Sequence, residues 1–305
     1  MKNLSILRHA AAACCSLLLV SNSALADELG ITITPFGVGD FGAGQLPPPT
    51  PVGTVAISTS YYSARVNKNG NGDDAGDNYR NDVKSVALAY IRMTETEFLN
   101  ANYGFGIVIP FIDIKGSISP VGAGTTLSNG MSGIGDVQFV PIILQWNVSE
   151  QFQMNASLQV QAPTGEYNTT DAFTVGVNHW AIAPVVAATY ITETGLEFST
   201  RVELNFNTKN IANDHVSGVG YKQEFAVGQH FGPFTIGLGG YGYANVTDDS
   251  GSATSPNKGR VFALGPAITY FQPGMPLIGF HAYKEFGARN RPEGYNVALR
   301  VGMTF

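Results

Sequence analysis

Two short motifs have residue types and spacing that could do chemistry. In Asp214-His215-Val216-Ser217 an imidazole lies two positions from a hydroxyl. On one face of an extended strand, His215 could take the Ser217 proton and leave a nucleophile suited to acyl transfer. Spacing names no third residue to orient that histidine. The parity of Val219, Tyr221 and Phe225, carried back along the chain, puts the pair on the lipid-facing side, and a polar rim at a strand end is the plainer reading. The second motif is Asn69-Gly70-Asn71-Gly72-Asp73-Asp74 with Asp77. It has the acidity of a calcium loop but not the spaced terminal Glu, so it reads as a solvated surface loop. His179, His230 and His281 fall on separate expected strands without zinc-type spacing, and no glycine-rich phosphate loop occurs. No metal and no cofactor are expected.

The most consistently placed polar residues are in no motif. Glu197, Arg201, Glu203, Lys222, Glu224, His230, His281, Tyr283, Glu285 and Arg300 each fall on the parity opposite the apolar side chains of their strand. With Tyr241 and Tyr243 they form the expected lining of a channel, charges setting selectivity and phenol rings offering contacts to apolar solutes. The same charges would serve equally as a ladder of cross-strand ion pairs inside a narrow barrel.

The elements that must position them are strands. In the last, Tyr295 to Phe305, Val297, Leu299, Val301, Met303 and Phe305 alternate with Asn296, Ala298, Arg300, Gly302 and Thr304. Successive strand side chains point to opposite faces, so one face is apolar and the other polar or small. Similar runs recur from Val55 onward, cleanest at Phe152 to Ala162 and Leu196 to Asn207, while the stretch before Asp136, through Gly130, reads as a long Gly/Ser loop. Short and long connections take turns. Aromatics gather at the short ones: Phe98, Trp146, Phe152, Tyr190, Phe198, Phe231, Phe234, Tyr270, Phe271 and Phe305. Amphipathic rings are most stable at headgroup level, so such clustering marks a membrane interface. The expected fold is all-β: a transmembrane antiparallel up-and-down β-barrel of about 12 strands over residues 54–305.

Composition agrees. Charged residues are 13%, against about 25% in soluble domains, Gly numbers 36, and no apolar run reaches the ~20 residues a membrane helix needs. Lys2 and Arg8, an apolar core from Ala10 to Val20 and Ala24-Leu25-Ala26 read as a Sec-type signal peptide over residues 1–26, cleaved near Ala26/Asp27. Its loss removes both cysteines, Cys14 and Cys15, and takes the formal net charge from −6 to −8. That charge argues against a nucleic-acid partner. Residues 27–53 are Gly/Pro-rich and include Pro47-Pro48-Pro49, which cannot donate to a ladder. They read as a periplasmic leader, or as a partial plug in which Phe41, Leu46, Pro47, Pro48 and Pro49 enter the lumen. The expected location is the bacterial outer membrane, with its lipid as partner. A final strand ending on Phe305 also resembles the signal read by the barrel assembly machinery.

Phe41-Gly42-Ala43-Gly44-Gln45-Leu46-Pro47-Pro48-Pro49, Gln161-Ala162-Pro163-Thr164-Gly165-Glu166-Tyr167 and Gly176-Val177-Asn178-His179-Trp180 carry a further resemblance. They are similar to the MetA-type (SphA-like) outer-membrane proteins of the meta-pathway of phenol degradation. That resemblance implies passive passage of small hydrophobic or aromatic compounds and no catalytic residues. The His215/Ser217 pair resembles that of outer-membrane phospholipase A and lipid A deacylase, with Gly218 where those families have Asn. An acyl hydrolase is therefore the alternative function, and a structural barrel without transport a second.

Overall fold

The computed structural model describes residues 32–122, 124–251 and 258–305. The expected signal peptide and residues 27–31 lie outside them. The described residues form fifteen strands: β1 Thr54–Lys68, β2 Arg80–Phe98, β3 Ala101–Ile118, β4 Leu127–Ile134, β5 Gln138–Asn147, β6 Phe152–Gln161, β7 Ala181–Ile191, β8 Leu196–Asn207, β9 His215–Val216, β10 Gly220–Phe231, β11 Phe234–Asn245, β12 Ser250–Gly251, β13 Arg260–Tyr270, β14 Leu277–Arg289 and β15 Arg291–Thr304. Each large strand pairs antiparallel with its neighbours, and β2–β3 and β1–β15 pairings close twelve of them into a ring. Closure leaves the twelve ring strands without an open edge, the condition a strand structure must meet in hydrocarbon, while β4 pairs with β3 alone.

β8 shows why the ring faces the way it does. Phe198, Leu204 and Phe206 stand on the outer face, while Glu197, Ser199, Arg201, Glu203 and Asn205 are buried inside. A one-residue slip of register would exchange these sets, so the apolar pattern pins the strand. The outward aromatics include Phe98, Tyr190, Phe198, Phe231, Phe234, Phe271 and Phe305, all at the short-turn end.

Two features differ from the sequence reading. Residues 127–134, expected as loop, form β4, which pairs with the upper part of β3 from Phe111 to Ile118. Its run Leu-Ser-Asn-Gly-Met-Ser-Gly-Ile lacks an apolar parity because it stands beyond the apolar band, and the long neighbouring β3 supplies the ladder instead. β1, β2 and β3 likewise run well past their apolar alternation. The long-loop end also has one tight connection, where Asn290 turns β14 into β15 at a φ of 48°.

Candidate functional site

Residues 32–53 run through the inside of the ring, from the long-loop end at Ile33 to the short-turn end at Gly53. The path follows from hydrogen bonds to the inward faces of many strands. The Ile33 amide donates to Asn205 Oδ1 (3.3 Å) and its carbonyl accepts from Gln138 Nε2 (2.7 Å). Thr34 Oγ1 donates to Gln159 (2.6 Å), and the Thr34 carbonyl accepts from Lys222 Nζ (2.7 Å). The amides of Gly37, Val38 and Gly39 all donate to the Glu224 carboxylate, at 2.6, 3.2 and 3.0 Å. Arg300 donates to the Val38 carbonyl (2.7 Å), Asn296 to the Phe36 carbonyl (3.1 Å), and Asp40 Oδ2 lies 2.8 Å from His281 Nδ1.

Lower down, the Gly42 amide donates to Glu197 (2.7 Å), which also lies 2.7 Å from His230 Nε2. Gly44 donates to Thr189 Oγ1 (2.8 Å) and accepts from Gln145 (3.1 Å), while Asn155 donates to the Ala43 carbonyl (2.9 Å). An extended segment without its own ladder must find partners for every buried amide and carbonyl. Inward Gln, Asn, Thr and Glu side chains supply them.

The expected lining residues all occupy the inward face. Arg201, Glu203, Lys222 and Glu224 form one buried network, with Arg201–Glu203 at 2.9 Å, Arg201–Glu224 at 3.3 Å and Lys222–Glu203 at 3.2 Å. Two cations and two anions cancel, which is the condition for burying them at all. Glu285 is held by the hydroxyls of Tyr241 and Tyr62 (2.9 Å each) and the Gly294 amide (2.7 Å). Phe36 stacks on Tyr241 at 4.6 Å and meets Tyr243 edge-on at 5.7 Å; Tyr283 stacks on His281 at 4.2 Å.

Phe41 is buried and its ring leaves no room for a side chain at Gly228. Leu46 packs on Met93, Val140 and Ile143, whereas Pro47 and Pro49 are half-buried and Pro48 is exposed. Sequence reasoning missed Gln138, Gln145, Asn155, Gln159, Thr189 and Asn296 as partners of this segment. The parity rule that selected the charges selects these neutral residues too.

His215 and Ser217 do not face lipid. Both are buried where the short β9–β12 pairing stands beyond the barrel strands at the long-loop end. Ser217, Gly218 and Val219 interrupt the strand between β9 and β10, so parity does not carry across. Asp249 Oδ2 lies 3.8 Å from His215 Nε2, an acid no spacing could name, while its Oδ1 accepts from the Gly218 amide (2.7 Å). A buried serine turned away from the bilayer offers an acyl chain no approach. In the acidic loop, Asn69 Oδ1 accepts from the Asn71 and Asp73 amides and Asp74 from Gly76. Among the described residues no three His, Cys, Asp or Glu converge as metal ligands.

With the ring and its filling placed, comparison with known proteins becomes informative. Residues 64–301 match the family model described as "Putative MetA-pathway of phenol degradation". The chain belongs to that family. Among solved structures it is similar to the COG4313 outer membrane channel from Pseudomonas putida F1, at a TM-score of 0.72 and 15% identity over 86% of this chain and 100% of that one. It is also similar to the β domain of the Bordetella autotransporter BrkA, at a TM-score of 0.52 and 8% identity over 83% and 100%. At such identities the likeness shows a shared fold, the closed barrel of outer-membrane proteins. No curated protein matches this member of the phenol-degradation family.

Proposed function

We propose that this family member is a passive outer-membrane channel for small hydrophobic or aromatic compounds, exported by its signal peptide and partly plugged by residues 32–53. The observation that carries the reading is the occupied lumen: a closed ring, apolar outside, holds one polar-anchored chain segment along its axis. A purely structural barrel would be served by side chains alone, whereas a segment with few apolar anchors (Ile33, Phe36, Phe41 and Leu46) can be displaced. Phe36, Tyr241, Tyr243 and Tyr283 offer ring faces at mid-lumen, where an aromatic solute replacing Phe36 would stack. The similar Pseudomonas putida structure bears the description of a channel, which favours transport over the acyl-hydrolase alternative.

Swelling of liposomes carrying the purified protein, with a panel of aromatic, aliphatic and sugar solutes, tests the reading. Faster entry of aromatic than of equally sized sugar solutes is expected, increased in a variant whose segment is loosened. Equal exclusion of every solute by both proteins would sink it.

A further inference from the structure

Above the apolar band, at the long-loop end, the outer face of β1–β4 carries a basic groove. Tyr61, Lys84 and Asp113 form one cross-strand row, directly opposite one another in register, with Asp82 and Lys115 paired in the next. The groove holds about 730 Å³, and its far side is lined by small residues, Ser117 of β3 and Ser128 and Gly130 of β4. β4, the strand that sequence alone does not reveal, is therefore what builds its far wall.

The charges there do not cancel. Arg65 and Arg80 share one carboxylate, Asp82, at 2.8 and 3.0 Å, and Tyr61 and Ser63 hydroxyls also donate to it. Lys115 lies 3.8 Å from Asp113. Lys84 is exposed, and among the described residues no carboxylate lies within ion-pair distance of it. Four cations thus face two carboxylates, on a chain whose formal net charge is −6. At the other rim the exposed charges beside the short turns are Glu95, Glu97, Glu150 and Glu193.

Height decides what the groove meets. Directly below it on the same face stand Val86, Leu88, Ile109 and Phe111, all exposed and apolar. Beside it Tyr61 meets Tyr295 at 5.9 Å, an outward aromatic pair at the border. A groove at that border lies at headgroup depth, where basic residues gain from anionic lipid and guanidinium groups suit phosphate oxygens. A soluble anion would find the same charges without needing the apolar wall beneath.

We propose that this groove binds the phosphate of a phosphorylated lipid in the leaflet facing the long loops, with Lys84 and Lys115 reaching the phosphate and Arg80 flanking it. The acyl chains then lie along Val86, Leu88 and Phe111.

The test uses full-length mature protein in neutral detergent and titrates a bisphosphorylated disaccharide lipid, its dephosphorylated form, and inorganic phosphate. Lys84→Gln with Lys115→Gln removes the charge while leaving the Asp82 cluster intact; Lys209→Gln with Lys258→Gln is the control at other loops. The phosphorylated lipid should bind at least ~10-fold more tightly than its dephosphorylated form, with the preference lost in the first variant, kept in the control and weakened by salt. Equal binding of both lipids, a preference unchanged in the Lys84/Lys115 variant, or inorganic phosphate matching the lipid would each overturn the proposal. Heat-modified gel mobility, expected unchanged, shows that the variant barrel is closed; a variant that fails to close is replaced by Lys84→Gln alone, with the same outcomes required.

Discussion

Gly44→Ala is the sharpest perturbation of the lumenal segment, because it leaves the wall untouched. A Cβ at residue 44 would overlap the Thr189 amide nitrogen and lie 2.5 Å from both Ala188 C and Gln153 O, where ordinary contact begins near 3.4 Å. All three are backbone atoms of paired strands, so the segment must retreat by about 1 Å rather than the wall. Retreat breaks three hydrogen bonds: Gly44 to Thr189, Gln145 to Gly44 and Asn155 to Ala43. At about 0.5–1.5 kcal/mol net each, the loss is about 1.5–4.5 kcal/mol. A middle value of about 3 kcal/mol is roughly a 150-fold shift toward the detached segment. Amide exchange read at Gly42, Gly44 and Gln45 should accelerate by that order, while the Thr189 and Asn155 amides in the wall keep their protection. Planar-bilayer conductance should rise in parallel. Unchanged exchange at these three amides would refute the steric reasoning, and faster exchange with unchanged conductance would refute the view that the segment limits flow.

Glu224→Ala removes the acceptor of the Gly37, Val38 and Gly39 amides, and exchange at those three is expected to rise more than at Gly44. Lys222→Met leaves Glu203 buried with Arg201 alone, so heat-modified gel mobility should show a barrel destabilised by about 3–5 kcal/mol. Nitroxides on single cysteines at Leu158 and Leu204 should relax with lipid-soluble oxygen, and one at Glu203 should not; Leu204 is outward and Glu203 fully buried. Ser217→Ala should leave phospholipid release by the purified protein unchanged from background; release that falls with the mutation would revive the hydrolase alternative.

Parity made the wall legible. Wherever outward side chains must meet hydrocarbon, as in β6, β8 and β15, the apolar alternation names both faces, and the buried side of Glu197, Arg201 and Glu203 follows from it. Beyond the band the constraint lapses, because water accepts any side chain. Hence Lys84, Asp113 and Lys115 extend their strands with no apolar signal, and Leu127–Ile134 read as loop. The route of residues 32–53 was illegible for another reason: its partners are scattered long-range hydrogen bonds, and Gly-Pro sequence carries no period that points to Glu224 or Asn155. The pairing of Asp249 with His215 was hidden likewise, since it joins two separate loops.

The segment is bonded at once to β5, β6, β7, β8, β10, β14 and β15, strands on opposite sides of the ring. An empty hoop of twelve strands can flatten into an ellipse when squeezed; a hoop with struts cannot. Lateral pressure in the bilayer is therefore resisted partly by a stretch of chain inside the ring, and withdrawing those struts would soften the cross-section of the whole protein as well as clear its bore.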